Sequence, residues 1–93
     1  MRTESAKEEI LSESERQTTL IHRAAAGDVE AFSRLVREFQ DVAVGYGVAI
    51  LGDVHAAEDA AQEAFLAMHS RLWQLRDPVA FPAWLRTLVP SVP

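Results

Sequence analysis

The stretch AEDAAQEAF at residues 57–65 decides how this sequence is interpreted. On a helix it separates alanines and a phenylalanine from polar side chains that recur at i, i+1, i+4 and i+5. The polar face carries Glu58, Asp59, Gln62 and Glu63. Because like charges one turn apart repel, this face does not stabilise an isolated helix. The stretch therefore predicts an amphipathic helix whose polar face is either solvated or meets a basic partner.

Apolar residues at helical spacing extend on both sides of this stretch and predict four helices. The first covers about residues 18–26, the second 29–51, the third about 55–75, and the fourth starts near residue 79 or 80 and stops at Pro90. Aspartates and glycines stand where helices should begin and end, and prolines disfavour helix at the residues before them. No alternating run bounded by turn residues indicates a strand. We therefore predict an all-α fold, a small bundle of three to four helices.

The apolar stripes of these helices predict one shared core. Two glycines, Gly45 and Gly47, flank Tyr46 in the second helix, and we interpret both as sites of close helix packing. The largest side chains that we expect to be buried together are Phe32, Leu35, Phe39, Phe65, Met68, Leu72, Phe81 and Trp84.

The 93 residues suit one small domain, which we place at residues 18–89. Residues 1–17 form a polar N-terminal extension, and residues 90–93 form a C-terminal tail. The SESE stretch at residues 12–15 fits a capping box, so the extension either starts a short helix there or is a disordered tail.

Composition narrows the classes of function. There is no cysteine, which excludes disulfides and thiolate metal sites. No apolar run approaches the length of about 20 residues that spans a bilayer, and no signal peptide is visible, so a cytoplasmic protein is expected. The net charge of −5 has the wrong sign for an autonomous nucleic-acid binder, because neutralising phosphates requires clustered Lys and Arg.

A metal-dependent helical enzyme is a competing interpretation. His55 could join Glu58, Asp59 and Glu63 as ligands, but a di-iron bundle needs a second set with paired Glu-x-x-His motifs, which the sequence lacks. No nucleophile triad or phosphate-binding loop is present. We therefore expect no catalytic activity, no metal and no cofactor.

Several motifs, in order, resemble a known family. The pattern D-x-x-Q-E-x-F at residues 59–65, preceded by LGD at 51–53, is similar to the core-binding segment of sigma-70-type transcription factors. AGD-x-EAF at 26–32 and FPAWLR at 81–86 resemble the opening and the last helix of region 2 in the extracytoplasmic-function (ECF) subgroup. The resemblance covers about residues 20–89.

The resemblance implies a polymerase partner. Region 2 of this family docks on the clamp helices of the RNA polymerase beta-prime subunit. Carried over by position, Asp59, Gln62 and Glu63, with Glu58 on the same face, would contact that basic coiled coil. Charge-assisted hydrogen bonds from arginine would then be the main polar interactions. An anti-sigma factor is a further partner that the resemblance allows, and no membrane partner is expected.

The resemblance also implies contact with the promoter −10 element. The loop of Arg76, Asp77, Pro78, Val79 and Ala80 would hold a flipped-out base, and Arg86 on the fourth helix would face nucleic acid. Phe81 and Trp84 could stack on bases, but their spacing with Leu85 and Leu88 favours core packing.

The sequence departs from this family at its C-terminal end. In relatives the fourth helix continues and carries basic residues, whereas here LVPSVP at residues 88–93 ends it. The DNA-contacting part is therefore expected to be incomplete, with weak promoter binding in the absence of polymerase. The alternative is a helical protein-interaction module without promoter activity.

Overall fold

Residues 12–90 are described by a computed structural model and form four α-helices with two 3-10 turns. The helices are α1 (Glu13–Ala25), α2 (Val29–Leu51), α3 (Val54–Arg71) and α4 (Phe81–Leu88), and the turns are Leu72–Gln74 and Pro78–Ala80. No strand occurs in residues 12–90, and the predicted all-α bundle is confirmed. Residues 1–11 of the predicted N-terminal extension and 91–93 of the predicted tail lie outside the described residues.

The first helix begins at Glu13 and not near Thr18 as predicted. The Ser12 side chain accepts a hydrogen bond from the Glu15 backbone N–H at 3.1 Å, and the Glu15 carboxylate accepts one from the Ser12 N–H at 3.0 Å. This capping box satisfies two of the donors that a helix N-terminus leaves unpaired. The helix that this motif allowed is therefore the one that forms.

An ion-pair network fastens the start of α1 to α2. The Arg16 guanidinium lies 2.7 Å from a Glu38 carboxylate oxygen and 2.6 Å from one of Glu13. The contact with Glu38 joins residues that are distant in sequence, so it orients α1 across α2.

Close packing joins α2 to α3. At Gly47, a side-chain Cβ would lie 2.8 Å from the Cα and the Cβ of Ala57, which is closer than such atoms approach. The interpretation of Gly47 as a packing glycine is thus supported, whereas the same interpretation of Gly45 is wrong, because a Cβ there would meet nothing within 4 Å. The turn between the helices uses Gly52 at φ 71°, a left-handed conformation that glycine adopts without strain.

The core lies where all four helices meet. Six of the eight large side chains predicted to be buried are buried, and the rings of Phe39 and Phe81 meet edge-on at 4.9 Å. The other two, Phe32 and Trp84, are half-buried and pack against the core from its border. In residues 12–90 no charged or polar residue is buried, so the core of this part of the chain is made of apolar side chains.

The third helix is shorter than predicted. Its α-helical part ends at Arg71, and Leu72–Gln74 continues as a 3-10 turn, with the Leu75 N–H donating to the Leu72 carbonyl at 3.0 Å. Such tightening is common at helix ends, where carbonyls lack partners. No helix in residues 12–90 is both long and apolar enough to cross a membrane.

Candidate functional site

The four polar residues of the quoted stretch form one surface on α3. Glu58, Asp59, Gln62 and Glu63 are all exposed, and we call this set the acidic ridge. The opposite face of α3 is buried through Ala57, Ala60, Ala61, Ala64, Phe65 and Met68. The ridge therefore points to solvent, as the amphipathic pattern predicted.

In the part of the chain that the structure describes, no lysine or arginine pairs with the acidic ridge. Within residues 12–90, Asp59, Gln62 and Glu63 make no side-chain hydrogen bond or ion pair, and Glu58 has only the exposed His55 ring at 4.0 Å. Because its charges are not neutralised within this part of the chain, the ridge can offer carboxylate oxygens to a basic partner.

Asp53 fixes the start of the helix that carries the ridge. Its carboxylate accepts a hydrogen bond from the Ala56 backbone N–H at 3.0 Å. That bond, with a second from the His55 backbone N–H, lowers the pKa of Asp53 below its usual value. The carboxylate stays ionised at neutral pH, and its negative charge interacts favourably with the positive end of the helix dipole.

An apolar groove borders the acidic ridge. Leu66 lies one helical turn beyond Gln62 and is 73% exposed. It lines a groove between α2 and α3 with Phe32, Val36, Gln40, Gln62, Phe65 and His69. Sequence reasoning missed Leu66, although its spacing from Gln62 and Glu63 places it on the same face. The surface thus combines charge with an exposed apolar side chain.

The predicted loop at residues 76–80 contains one turn of 3-10 helix. The Asp77 carboxylate accepts a hydrogen bond from the Val79 N–H at 3.1 Å, and the Asp77 carbonyl accepts one from the Ala80 N–H at 2.9 Å. Pro78 is half-buried, whereas Arg76 and Ala80 are exposed and Val79 is 77% exposed. The loop therefore presents side chains to solvent on a backbone that Asp77 holds in place.

Arg86 lies apart from this loop, near the end of α4. It is six residues beyond Ala80, about 9 Å along a helix axis. Its side chain is exposed, and its guanidinium carbon lies 5.7 Å from the centre of the Tyr46 ring on α2. The loop and Arg86 therefore stand at opposite ends of α4.

The aromatic side chains divide between the core and the surface. Phe81 is 1% exposed, so core packing and not base stacking describes it, as predicted. Trp84 packs on Phe81 with ring centres 6.1 Å apart and keeps one side near the surface. Trp73 is 72% exposed, with its indole N–H donating to the Ser70 carbonyl at 3.0 Å, and the sequence pattern had not singled it out.

No arrangement for metal binding occurs in the described part of the chain. Within residues 12–90, no group of three or more His, Asp or Glu side chains is placed to hold an ion. His55 meets Glu58 at a distance of 4.0 Å, but both are exposed and no third ligand joins them.

Comparisons with known proteins agree on one family. Residues 35–90 match Sigma-70 region 2, which covers α2 from Leu35 through α4. The matched part includes the acidic ridge, the loop at 76–80 and Arg86. No solved structure matches the chain significantly.

Three curated relatives carry sigma factor names. The chain is 46% identical over 65 residues to the probable RNA polymerase sigma factor RfaY of Xanthomonas campestris, which is 70% of this chain and 16% of that protein. It is 37% identical over 71 residues to the RNA polymerase sigma-H factor of Pseudomonas aeruginosa, an overlap that covers 76% of this chain and 37% of that protein. It is also 37% identical over 81 residues to the ECF RNA polymerase sigma factor BldN of Streptomyces coelicolor, an overlap that covers 83% of this chain and 30% of that protein. The chain thus spans well under half the length of each of these relatives.

Proposed function

The chain belongs to the sigma-70 family, as a region 2 domain of the ECF type, and from this premise we propose that it docks on core RNA polymerase and takes part in transcription initiation. The observation that carries the proposal is the acidic ridge on α3. Its four side chains are exposed on a helix that Asp53 caps, and the resemblance assigns three of them, Asp59, Gln62 and Glu63, to polymerase binding.

The proposed partner surface is the basic coiled coil of the beta-prime clamp helices. Asp59 and Glu63 would accept charge-assisted hydrogen bonds from its arginines, and Gln62 would add a neutral one. Leu66 and the groove beside it would take an apolar side chain of the partner. A charged ridge next to an exposed leucine suits such an interface, since polar contacts give orientation and a desolvated apolar contact adds affinity.

Binding to a clamp-helix fragment of beta-prime, and to core polymerase, tests this proposal. We expect Glu63→Lys to weaken binding by about ten-fold or more, because the lysine would face a basic partner with like charge. Gln62→Ala should weaken binding less, and neither change should alter helicity measured by circular dichroism. Asp41→Lys is the matched control, because Asp41 is also exposed and acidic but belongs to α2 and does not line the groove that borders the ridge. Equal affinities for Glu63→Lys and the parent would overturn the assignment of the ridge.

A parent chain that binds neither polymerase nor the clamp-helix fragment would favour the other interpretation, a helical interaction module with a different partner. A parent that binds and a Glu63→Lys variant that does not would exclude that module, provided that Asp41→Lys still binds.

We further propose that the loop at residues 76–80 and Arg86 contact the single-stranded −10 element once polymerase is bound. Exposed Arg76 and Val79 support a role for the loop, and exposed Arg86 supports a phosphate contact. In the polymerase-bound state, Arg86→Ala should weaken binding of a single-stranded −10 oligonucleotide and lower the salt-dependence slope by about 0.7, the value for one lost phosphate contact on a single strand. An unchanged slope would remove Arg86 from the DNA surface.

A further inference from the structure

The contact between Arg86 and Tyr46 joins two residues that are far apart in sequence. The guanidinium carbon lies 5.7 Å from the ring centre, within the range of a cation–π interaction. Tyr46 is half-buried and packs against the core, so its ring is held in place, whereas Arg86 is exposed. A fixed ring therefore supports a solvent-facing cation.

Two ring contacts tie α2 to α4. Phe39 meets Phe81, and Tyr46 meets Arg86. Phe39 and Tyr46 are two helical turns apart, about 10.5 Å, and Phe81 and Arg86 are about 7.5 Å apart along their helix. Phe39 precedes Tyr46 on α2, and their partners Phe81 and Arg86 follow in the same order on α4. The two helices therefore run in the same general direction here. The Phe39–Phe81 contact in the core thus sets where Arg86 stands relative to Tyr46.

The chemistry of the contact leaves the guanidinium able to bind an anion. A guanidinium that rests on an aromatic face keeps the N–H donors at its edge, which are the groups that bind phosphate in a bidentate manner. Within residues 12–90, no carboxylate forms an ion pair with Arg86. Arg16 and Arg23 differ, because Glu38 and Asp28 respectively neutralise them.

We propose that Tyr46 is a positioning residue that holds the Arg86 guanidinium ready for a phosphate of single-stranded DNA. The inference rests on the proposed DNA contact of Arg86. It adds Tyr46, a residue of another helix, which restricts the conformations that the flexible Arg86 side chain can adopt. An aromatic support suits this task better than a carboxylate, since a carboxylate would compete with the phosphate for the same donors.

A double-mutant cycle in the polymerase-bound state tests the proposal. The variants are Tyr46→Leu, Tyr46→Phe, Arg86→Ala and the double variant Tyr46→Leu with Arg86→Ala. The probe is a fluorescent single-stranded −10 oligonucleotide, and affinity is measured at several salt concentrations. We expect Tyr46→Leu to weaken binding about two- to five-fold, the range that an exposed cation–π contact supports. Tyr46→Phe keeps the ring face and should bind like the parent.

The decisive comparison is the effect of Tyr46→Leu when Arg86 is already alanine. If Tyr46 acts through Arg86, the leucine has no further effect in that background. An equal loss in both backgrounds, or no loss in either, would overturn the inference. Affinity for polymerase serves as the control for folding, and it should be the same in all four variants.

The failure of this inference and that of the DNA-binding proposal can be told apart. If Arg86→Ala itself leaves oligonucleotide binding unchanged, the proposed DNA contact fails and Tyr46 has nothing to position. If Arg86→Ala weakens binding but Tyr46→Leu does not, only the positioning role is lost.

Discussion

The two glycines beside Tyr46 have opposite surroundings although they stand on the same helix. Gly47 is buried against the backbone of Ala57, whereas Gly45 faces open space. The sequence alone could not separate them, because which side of α2 meets α3 depends on tertiary packing. At Gly47 the missing side chain permits helix contact, while at Gly45 it only lowers helix propensity.

A matched pair of substitutions tests this difference. Gly47→Ala should lower the free energy of unfolding by about 1–3 kcal/mol, because the new methyl group forces α2 and α3 apart. Gly45→Ala should raise it by about 0.5–1 kcal/mol, because alanine favours a helix and no neighbour obstructs it. Urea unfolding followed by circular dichroism measures both, and the two changes are chemically identical. Shifts of the same sign in both variants would contradict the assigned packing.

Helix starts are the element-scale feature that depends most on ionised side chains. Asp28 caps α2 by accepting hydrogen bonds from the backbone N–H groups of Glu30 at 3.0 Å and Ala31 at 3.1 Å, and Arg23 lies 2.8 Å from its other oxygen. The Ala31 N–H, followed by Arg23, lowers the pKa of the Asp28 carboxyl. Asp53 and Glu15 have pKa values lowered in the same direction by backbone N–H groups.

These lowered pKa values predict a loss of stability in acid. The unfolded chain takes up protons near pH 4, before the folded caps do, so stability rises with pH through that window. The stabilisation is complete above the unfolded pKa and is lost as the pH falls through the lower, folded pKa. Asp28→Asn caps the helix comparably but does not titrate, so its urea midpoint should fall less steeply below about pH 4. Identical pH profiles for parent and variant would contradict the role of Asp28.

Local chemistry made some elements predictable and left others open. The bounds of α2 follow from Asp28 and Gly52, whose capping roles need only neighbouring backbone, and both were predicted correctly. The start of α1 was left open, because the local capping box of Ser12 and Glu15 allowed a helix there, whereas the ion pair between Arg16 and Glu38 that accompanies it is long-range. The acidic ridge could be predicted from spacing alone. The contact between Tyr46 and Arg86 could not, since it depends on how α4 lies across α2.

At the scale of the whole molecule, the net charge limits how strongly the chain can bind DNA without a partner. The sequence carries 14 acidic and 9 basic residues, and two of its arginines are engaged by carboxylates in the described part. Such a chain repels the phosphate backbone at long range. We therefore expect the proposed DNA contact of the loop at 76–80 and of Arg86 to require polymerase.

The chain alone should bind a −10 promoter duplex with a dissociation constant no tighter than about a micromolar at physiological salt, the range of non-specific binding. Fluorescence anisotropy between 50 and 200 mM salt would measure this, and the weak binding should decrease as salt rises. Adding core polymerase should restore binding to a single-stranded −10 oligonucleotide. Nanomolar binding of the duplex by the chain alone would contradict the argument from charge.

The contact between Gly47 and Ala57 also holds the segment of α3 that carries the acidic ridge against α2. Neither residue has a rotatable side chain, so the contact loses no side-chain entropy when it forms and has no alternative rotamer to adopt. Ala57 immediately precedes Glu58, the first residue of the ridge, so this contact and the proposed docking surface are adjacent on one helix. If the proposed docking is right, a partner would meet carboxylates whose backbone is already ordered, and binding would lose little free energy to the ordering of α3.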